Sequence, residues 1–243
     1  MTHQQTIEKL RTLRLTAMAD ALATQAEQPD IHGLSFEERL GLLVDQEWTY
    51  RENRSLARRL KEAKLRLPAA IEDIDFRHPR GLDRGVVRSL AAGDWLRAHQ
   101  SVLITGPTGV GKTFLACALA NAAARQGFSS RYYRVPRLLH EITVAQADGS
   151  YPRFLSHLAR IHLLVLDDWG LAPLTATEAR DMLEILDDRY QVRSTIVAAQ
   201  LPVEDWHNAI ADPSVADAIL DRLVHNSHRL VLRGESMRRS RTT

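Results

Sequence analysis

Gly106-Pro107-Thr108-Gly109-Val110-Gly111-Lys112-Thr113 sits between an apolar run, Ser101-Val102-Leu103-Ile104-Thr105, and an Ala- and Leu-rich stretch from Lys112 to Arg125. Two glycines five residues apart, the second followed by Lys-Thr, form the Walker A pattern, and a strand before it with a helix after it is the context the pattern requires. Glycine lets the backbone wrap until its N–H groups converge on phosphate oxygens, and the helix N-terminus adds partial positive charge at the same point. The expected nucleotide-binding set is therefore Gly106, Pro107, Thr108, Gly109, Val110, Gly111, Lys112 and Thr113, with Phe114 beside them. Lys112 is expected to reach the β- and γ-phosphates of ATP, and the Thr113 hydroxyl to ligate Mg²⁺.

A second apolar run ends in acid: His162-Leu163-Leu164-Val165-Leu166-Asp167-Asp168. In open α/β sheets ligands bind beyond the carboxyl ends of the strands, which is where these carboxylates would emerge. Asp167 is expected to hold Mg²⁺, directly or through water. Asp168 is then placed to polarise a water against the γ-phosphate, which points to hydrolysis rather than transfer to a substrate hydroxyl. Gln200 follows the run Thr195 to Ala199 and either positions that water or simply closes the strand. Arg222, in Asp221-Arg222-Leu223, reads either as an arginine finger offered to a neighbouring subunit or as a surface arginine on an amphipathic helix.

Working outward, strands and helices alternate. Helices are expected over Val86 to His99, Lys112 to Arg125, Pro136 to Ala147, Thr175 to Tyr190, Val203 to Ile210 and Ser214 to Asn226. Strands are expected at Ser101 to Thr105, Ser130 to Val135, His162 to Leu166, Ser194 to Ala199 and Arg229 to Leu232. Such alternation predicts a parallel sheet covered on both faces. Before it, Ile7, Leu10, Leu13, Ala17 and Leu22, then Phe36, Leu40, Leu43, Val44 and Trp48, then Leu56, Leu60, Ala63 and Leu67 repeat at helical spacing, with Pro68 as a stop. Gln28-Pro29-Asp30 and His32-Gly33 separate the first two helices, and Ser35 with Glu38 resembles a capping box. The expected organisation is a small all-α domain over 1–68 and an α/β P-loop domain over 69–243.

The chain has 243 residues, 44% hydrophobic and 26% charged, with one cysteine and a formal net charge of +2. That composition excludes a disordered or disulfide-framed protein, and no apolar run reaches the roughly 20 residues that cross a bilayer. With the polar start Met1-Thr2-His3 and a lone thiol, the expected setting is soluble and cytoplasmic, with no membrane partner. Charge is unevenly spread. Arg51, Arg54, Arg58, Arg59, Lys61, Lys64 and Arg66 crowd the third helix, Arg222, Arg229, Arg233, Arg238, Arg239 and Arg241 the tail, and Asp167 to Asp188 is acidic. The segregation fits nucleic acid on the basic surfaces, or solvated helix faces. Arg131, Tyr132, Tyr133, Arg134 and Arg137 leave the same choice between nucleic-acid contact and packing. Cys117, Trp95, Trp169 and Trp206 read as core, and His225 and His228 lack partners at metal-ligand spacing.

The run Leu103 to Thr113, the segment Leu164-Val165-Leu166-Asp167-Asp168-Trp169-Gly170, Gln200-Leu201-Pro202 and Gly234-Glu235-Ser236-Met237-Arg238 together resemble IstB. IstB is the ATP-binding helper of insertion-sequence transposases, related to DnaC-type helicase loaders within the AAA+ ATPases. Ile74-Asp75-Phe76-Arg77 and the Leu10 to Leu22 segment fit as well, so the resemblance spans nearly the whole chain. It implies an AAA+ three-layer core behind a helical N-terminal domain, and an ATPase that self-associates with ATP on duplex DNA and recruits a transposase. It also assigns Gln200 a sensor role, Arg222 the arginine finger, and DNA or partner contacts to the N-terminal region, where Arg51, Arg54, Arg58, Arg59, Lys61 and Lys64 are the candidates. A helicase loader is the alternative reading. Asp168 stands where many AAA+ proteins carry Glu, and no full C-terminal helical lid is expected after Leu232; a sensor role for Arg238 depends on that region.

Overall fold

The apolar runs form five strands: β1 (Ser101–Thr105), β2 (Ser130–Arg134), β3 (Leu163–Trp169), β4 (Ser194–Ala199) and β5 (Ser227–Val231). The structure, a computed structural model, describes residues 2–237. All strand pairs are parallel and the order is β2-β3-β4-β1-β5. Alternation along each strand splits the core in two. Val102, Ile104, Val165 and Ile196 pack on one face with α4 (Arg84–Ala92), α5 (Asp94–Arg97) and α6 (Lys112–Arg125). Leu103, Leu164, Leu166 and Val197 pack on the other, where α7 (Val135–Asp148), α8 (Tyr151–Arg160), α9 (Ala176–Arg189) and α10 (Pro213–Val224) lie. Strands buried on both faces read as unbroken apolar runs, which is why they were legible. Trp95, Trp169 and Trp206 are core residues, and the rings of the last two lie 5.6 Å apart at a tilt of 48°.

Three local expectations change. Val86 to His99 breaks into α4 and α5 because Gly93 takes a left-handed conformation (φ 82). Val203 to Ile210 forms two short 3₁₀ turns rather than a helix. Helix α8 was not foreseen. Its carboxyl end is fastened by the buried Arg189 of α9, whose guanidinium donates to the carbonyls of Leu158 (2.6 Å), Ile161 (2.8 Å) and Ser194 (2.6 Å). Burial pulls the Arg189 pKa down to about 9.

The chain divides into two compact units, one ending at Arg58 and the other beginning at Arg59. The first contains α1 (His3–Thr12), α2 (Thr16–Glu27), a 3₁₀ turn at Pro29–Gly33 and most of α3 (Phe36–Ala63). The Ser35 cap is present: its N–H donates to Glu38 (2.7 Å) and its hydroxyl accepts from the Glu38 N–H (3.2 Å). Helix α3 runs unbroken through what periodicity divides at Trp48. It turns Leu43 inward, but Phe36, Leu40, Val44 and Trp48 are exposed. Glu47 is buried and accepts from the Met18 N–H at the start of α2 (3.1 Å) and from Arg51 Nε (2.7 Å). Among the described residues no helix follows β5, and no helix is long and apolar enough to cross a membrane.

Candidate nucleotide site

The loop after β1 needs its glycines. Gly106 (φ 143) lies against the Leu232 backbone carbonyl and Gly111 (φ 95) against the Arg80 guanidinium, so a Cβ at either position would collide. Arg80 is 2% exposed, and its Nη1 donates to the Val110 carbonyl (2.7 Å) and its Nη2 to the Asp75 carbonyl (3.0 Å). Burial lowers the Arg80 pKa, with the Asp75 charge opposing it. The segment after β5 backs the loop as well, through Leu232 N–H to the Thr105 carbonyl (2.8 Å) and Met237 N–H to the Gly109 carbonyl (3.0 Å). Lys112 opens α6 and bends across the loop, its Nζ 2.7 Å from the Gly106 carbonyl and 2.8 Å from that of Pro107.

Opposite the loop stand the two acids of β3. Successive residues of a flat strand face opposite sides, so neighbouring aspartates would not normally share a cavity. Here the β3–β4 register slips between Leu166 and Trp169, and Asp168 adopts φ 60. The bulge re-aims Asp168, and both carboxylates line one cavity. Asp167 is 2% exposed, and its Oδ2 accepts from the Thr113 hydroxyl (2.8 Å) and the Tyr132 hydroxyl (2.6 Å), while its Oδ1 accepts from the Asp168 N–H (3.0 Å). Asp168 Oδ2 accepts from Arg134 Nε at 2.5 Å. Burial first, then the bond to Asp167, pushes the Tyr132 phenol above its usual range and keeps it a donor.

The cavity holds about 350 Å³, in the range of small-molecule sites. Thr108, Gly109 and Gly111 of the loop, Lys112, Thr113, Phe114, both aspartates and Gln200 line it, as do Asp73, Asp75 and Arg80. Its donors suit a hard cation shared with phosphate: one hydroxyl and one carboxylate in contact, both oxygen ligands. Among the described residues there is no cluster of three or more His, Cys, Asp or Glu for a self-contained metal site, and Mg²⁺ bound with phosphates does not require one.

Residues 8–243 match the family model of the IstB-like ATP binding protein. The chain belongs to that family. It is 51% identical over 235 residues to y4pL of Sinorhizobium fredii, named as an insertion-sequence ATP-binding protein, across 97% of this chain and 96% of that one. It is 50% identical over 203 residues to the ATP-binding protein of insertion sequence IS1162 of Pseudomonas fluorescens, across 83% and 88%. Among solved structures it resembles the DnaC helicase loader, with a TM-score of 0.58 and 21% identity over 70% of this chain and 99% of that one. That likeness bears on the fold, which is the α/β P-loop AAA+ type with a helical N-terminal region.

In this IstB-like chain the cavity brings together Lys112, Thr113, Asp167, Asp168 and Gln200. It does not include Arg222, which lies near the amino ends of β1 and β4, paired to Asp187 at 2.7 Å and set over the Tyr190 ring at 5.8 Å. Arg238 falls outside the described residues. Of the basic candidates on α3, Arg51 also donates to the Arg14 carbonyl (3.1 Å) and Arg59 donates to the Ala124 carbonyl (2.8 Å), whereas Arg54, Arg58, Lys61 and Lys64 are exposed. Sequence reasoning missed Arg66, Arg80, Tyr132 and Arg134 at the nucleotide cavity. The sequence groups Arg66 with the basic helix and leaves the Tyr132–Arg134 run between nucleic-acid contact and packing. The available signal was that β2 ends beside β3, so Arg134 registers with Asp167.

Proposed function

We propose that this protein is a Mg²⁺-dependent ATPase that assembles on duplex DNA in the ATP state and recruits a transposase, with hydrolysis loosening the assembly. The bulge that turns Asp168 into the same cavity as Lys112, Thr113 and Asp167 carries the enzymatic part of the reading. Lys112 would bind the terminal phosphates, Asp168 would accept the proton of the attacking water, and Gln200 would orient that water. Mg²⁺, held by Thr113 and Asp167, would supply charge neutralisation at the phosphates. Arg222 lies outside the lining of its own cavity, which supports a finger given to the next subunit.

The insertion-sequence names of relatives near half identity support the transposition context, and with it a cytoplasmic setting. Arg54, Arg58 and Lys61 recur on one face of α3, which supports phosphate contact without base reading, and the exposed apolar side chains Phe36, Leu40, Val44 and Trp48 support self-association. The N-terminal helical domain, taken as 1–68, would hold most of these contacts. The fold shared with the DnaC loader favours one rival, the loading of a replicative helicase. Steady-state ATP hydrolysis, with and without duplex DNA, for wild type and Lys112→Ala tests the main reading, with particle size followed in parallel. Turnover and ATP-driven assembly on DNA, both lost in Lys112→Ala, are expected. Indifference of rate and size to DNA would remove the transposition reading, and co-purification with a helicase rather than a transposase would install the loader.

A further inference from the structure

Arg66 has no place in the reading above, yet it reaches both acids of the site. Its Nη1 lies 3.8 Å from Asp167 Oδ2 and 3.9 Å from Asp168 Oδ2, almost midway between them. The same guanidinium meets the Tyr132 hydroxyl, the group that donates to Asp167. Arg134 touches Asp168; Arg66 is shared by the two.

The backbone that delivers this side chain is fastened on two sides. Helix α3 ends at Ala63, which is fully buried, and Arg131 Nη1 caps it by donating to the Glu62 carbonyl at 2.9 Å. Lys64 then turns the chain with φ 48. The buried thiol of Cys117, on the helix that begins with Lys112, lies beside the backbone N–H groups of Leu67 and Arg66. A surface arginine paired to surface acids would be worth little. Here one partner is 2% exposed, and two adjacent carboxylates on a bulge repel each other at short range.

We propose that Arg66 is a positioning residue of the nucleotide site, bridging Asp167 and Asp168 so that one carboxylate stays turned to Thr113 and the metal while the other stays turned to the water. This rests on the assignment of those two acids to ATP and Mg²⁺. Lysine places a point charge where arginine offers a planar fork, so Arg66→Lys restores attraction without the bridge geometry.

Full-length wild type, Arg66→Ala and Arg66→Lys are compared in two measurements. The first is the Mg²⁺ concentration giving half-maximal binding of a fluorescent, non-hydrolysable ATP analogue. The second is kcat and KM for ATP, with a thermal midpoint recorded for each variant. Partners behind a metal ligand typically carry about 10- to 100-fold in metal affinity or activity. Arg66→Ala is expected to raise the Mg²⁺ requirement about tenfold and lower kcat by a similar factor. Its KM at saturating Mg²⁺ should stay within about twofold, because Lys112 and the loop still bind the phosphates. Arg66→Lys is expected to recover part of both losses at an unchanged thermal midpoint. An unchanged Mg²⁺ requirement in Arg66→Ala overturns the proposal, as does a rise in KM with kcat intact, which would make Arg66 a substrate ligand. If wild type itself fails to hydrolyse ATP, the ATPase reading is lost, and Arg66 still stands or falls on the Mg²⁺ titration.

Discussion

Substituting Asp168 separates the chemistry of its carboxylate from the backbone shape it occupies. The residue has φ 60, a region that asparagine and aspartate tolerate far better than other side chains. Asp168→Asn therefore keeps the bulge and removes only the charge. The lost contacts are the pairs with Arg134 and Arg66, whose side chains are 48% and 42% exposed against 20% for Asp168, so after screening each is worth about 1 kcal/mol or less. Loss of a positioned general base costs about 10²- to 10⁴-fold in rate, or about 3–5 kcal/mol in barrier. The expected result is a kcat at least about a hundredfold down, a KM for ATP within about threefold, and an unfolding midpoint nearly that of wild type. Asp168→Glu keeps a base but puts a longer side chain in the left-handed region at about 1 kcal/mol of backbone cost, and misplaces the carboxylate by one methylene. It should lose activity as well, despite carrying the acid common among AAA+ proteins. Single-turnover hydrolysis at saturating ATP and Mg²⁺, beside urea unfolding, decides the matter. A kcat for Asp168→Asn within about threefold of wild type would refute the assignment of Asp168 as base.

Arg80→Met should lower stability by about 2–4 kcal/mol, because the buried Val110 carbonyl and the partly buried Asp75 carbonyl lose charge-assisted bonds, and should weaken ATP-analogue binding through a looser loop; an unchanged urea midpoint removes the proposed support. Arg222→Ala should reduce turnover about 10³-fold in assembled protein, and mixing it with Asp168→Asn should restore activity if fingers cross subunits; no recovery in the mixture sinks that role. Burial would raise the Glu47 pKa, but the bonds from Arg51 and Met18 prevail and hold it below the ordinary glutamate value of 4.5. Because the folded pKa is depressed, Glu47 contributes stability above pH 4.5 and loses it as pH falls through the lower folded value. Glu47→Gln should flatten that acid limb of the unfolding midpoint, and an unchanged limb would rule Glu47 out as its source.

The fold was legible where one local rule coincided with one structural demand. A strand buried on both faces must be apolar throughout, and Val102 to Ile104 or Ile196 to Ala198 could be little else. The loop from Gly106 to Gly111 was legible for the same reason, since only glycine survives beside the Leu232 carbonyl. The ends of α3 show both sides of this. Its cap at Ser35 is a local pair and was read, whereas the inward face was misjudged because periodicity identifies an apolar ridge without saying what covers it. Gly93 ended a helix that apolar spacing would have continued, because its left-handed conformation serves the turn into α5 rather than the pattern.

The site divided along the same line. Lys112, Thr113 and Asp167 stand where sequence spacing alone fixes them relative to a strand end. Tyr132 and Arg134 reach the acids because β2 lies beside β3, and Arg66 and Arg80 arrive on segments outside the sheet. The case of Asp168 is intermediate and the most instructive. A regular β3 would have turned the two acids to opposite faces, and an Asp-Asp pair at a strand end would then have been half functional at best. A single slipped register rescues the pair, and that slip has no signature of its own in the residues around it. The aspartate at 168 fits the backbone it occupies. The left-handed residue of the bulge favours the shorter acid, so the side chain and the bulge have to be explained together.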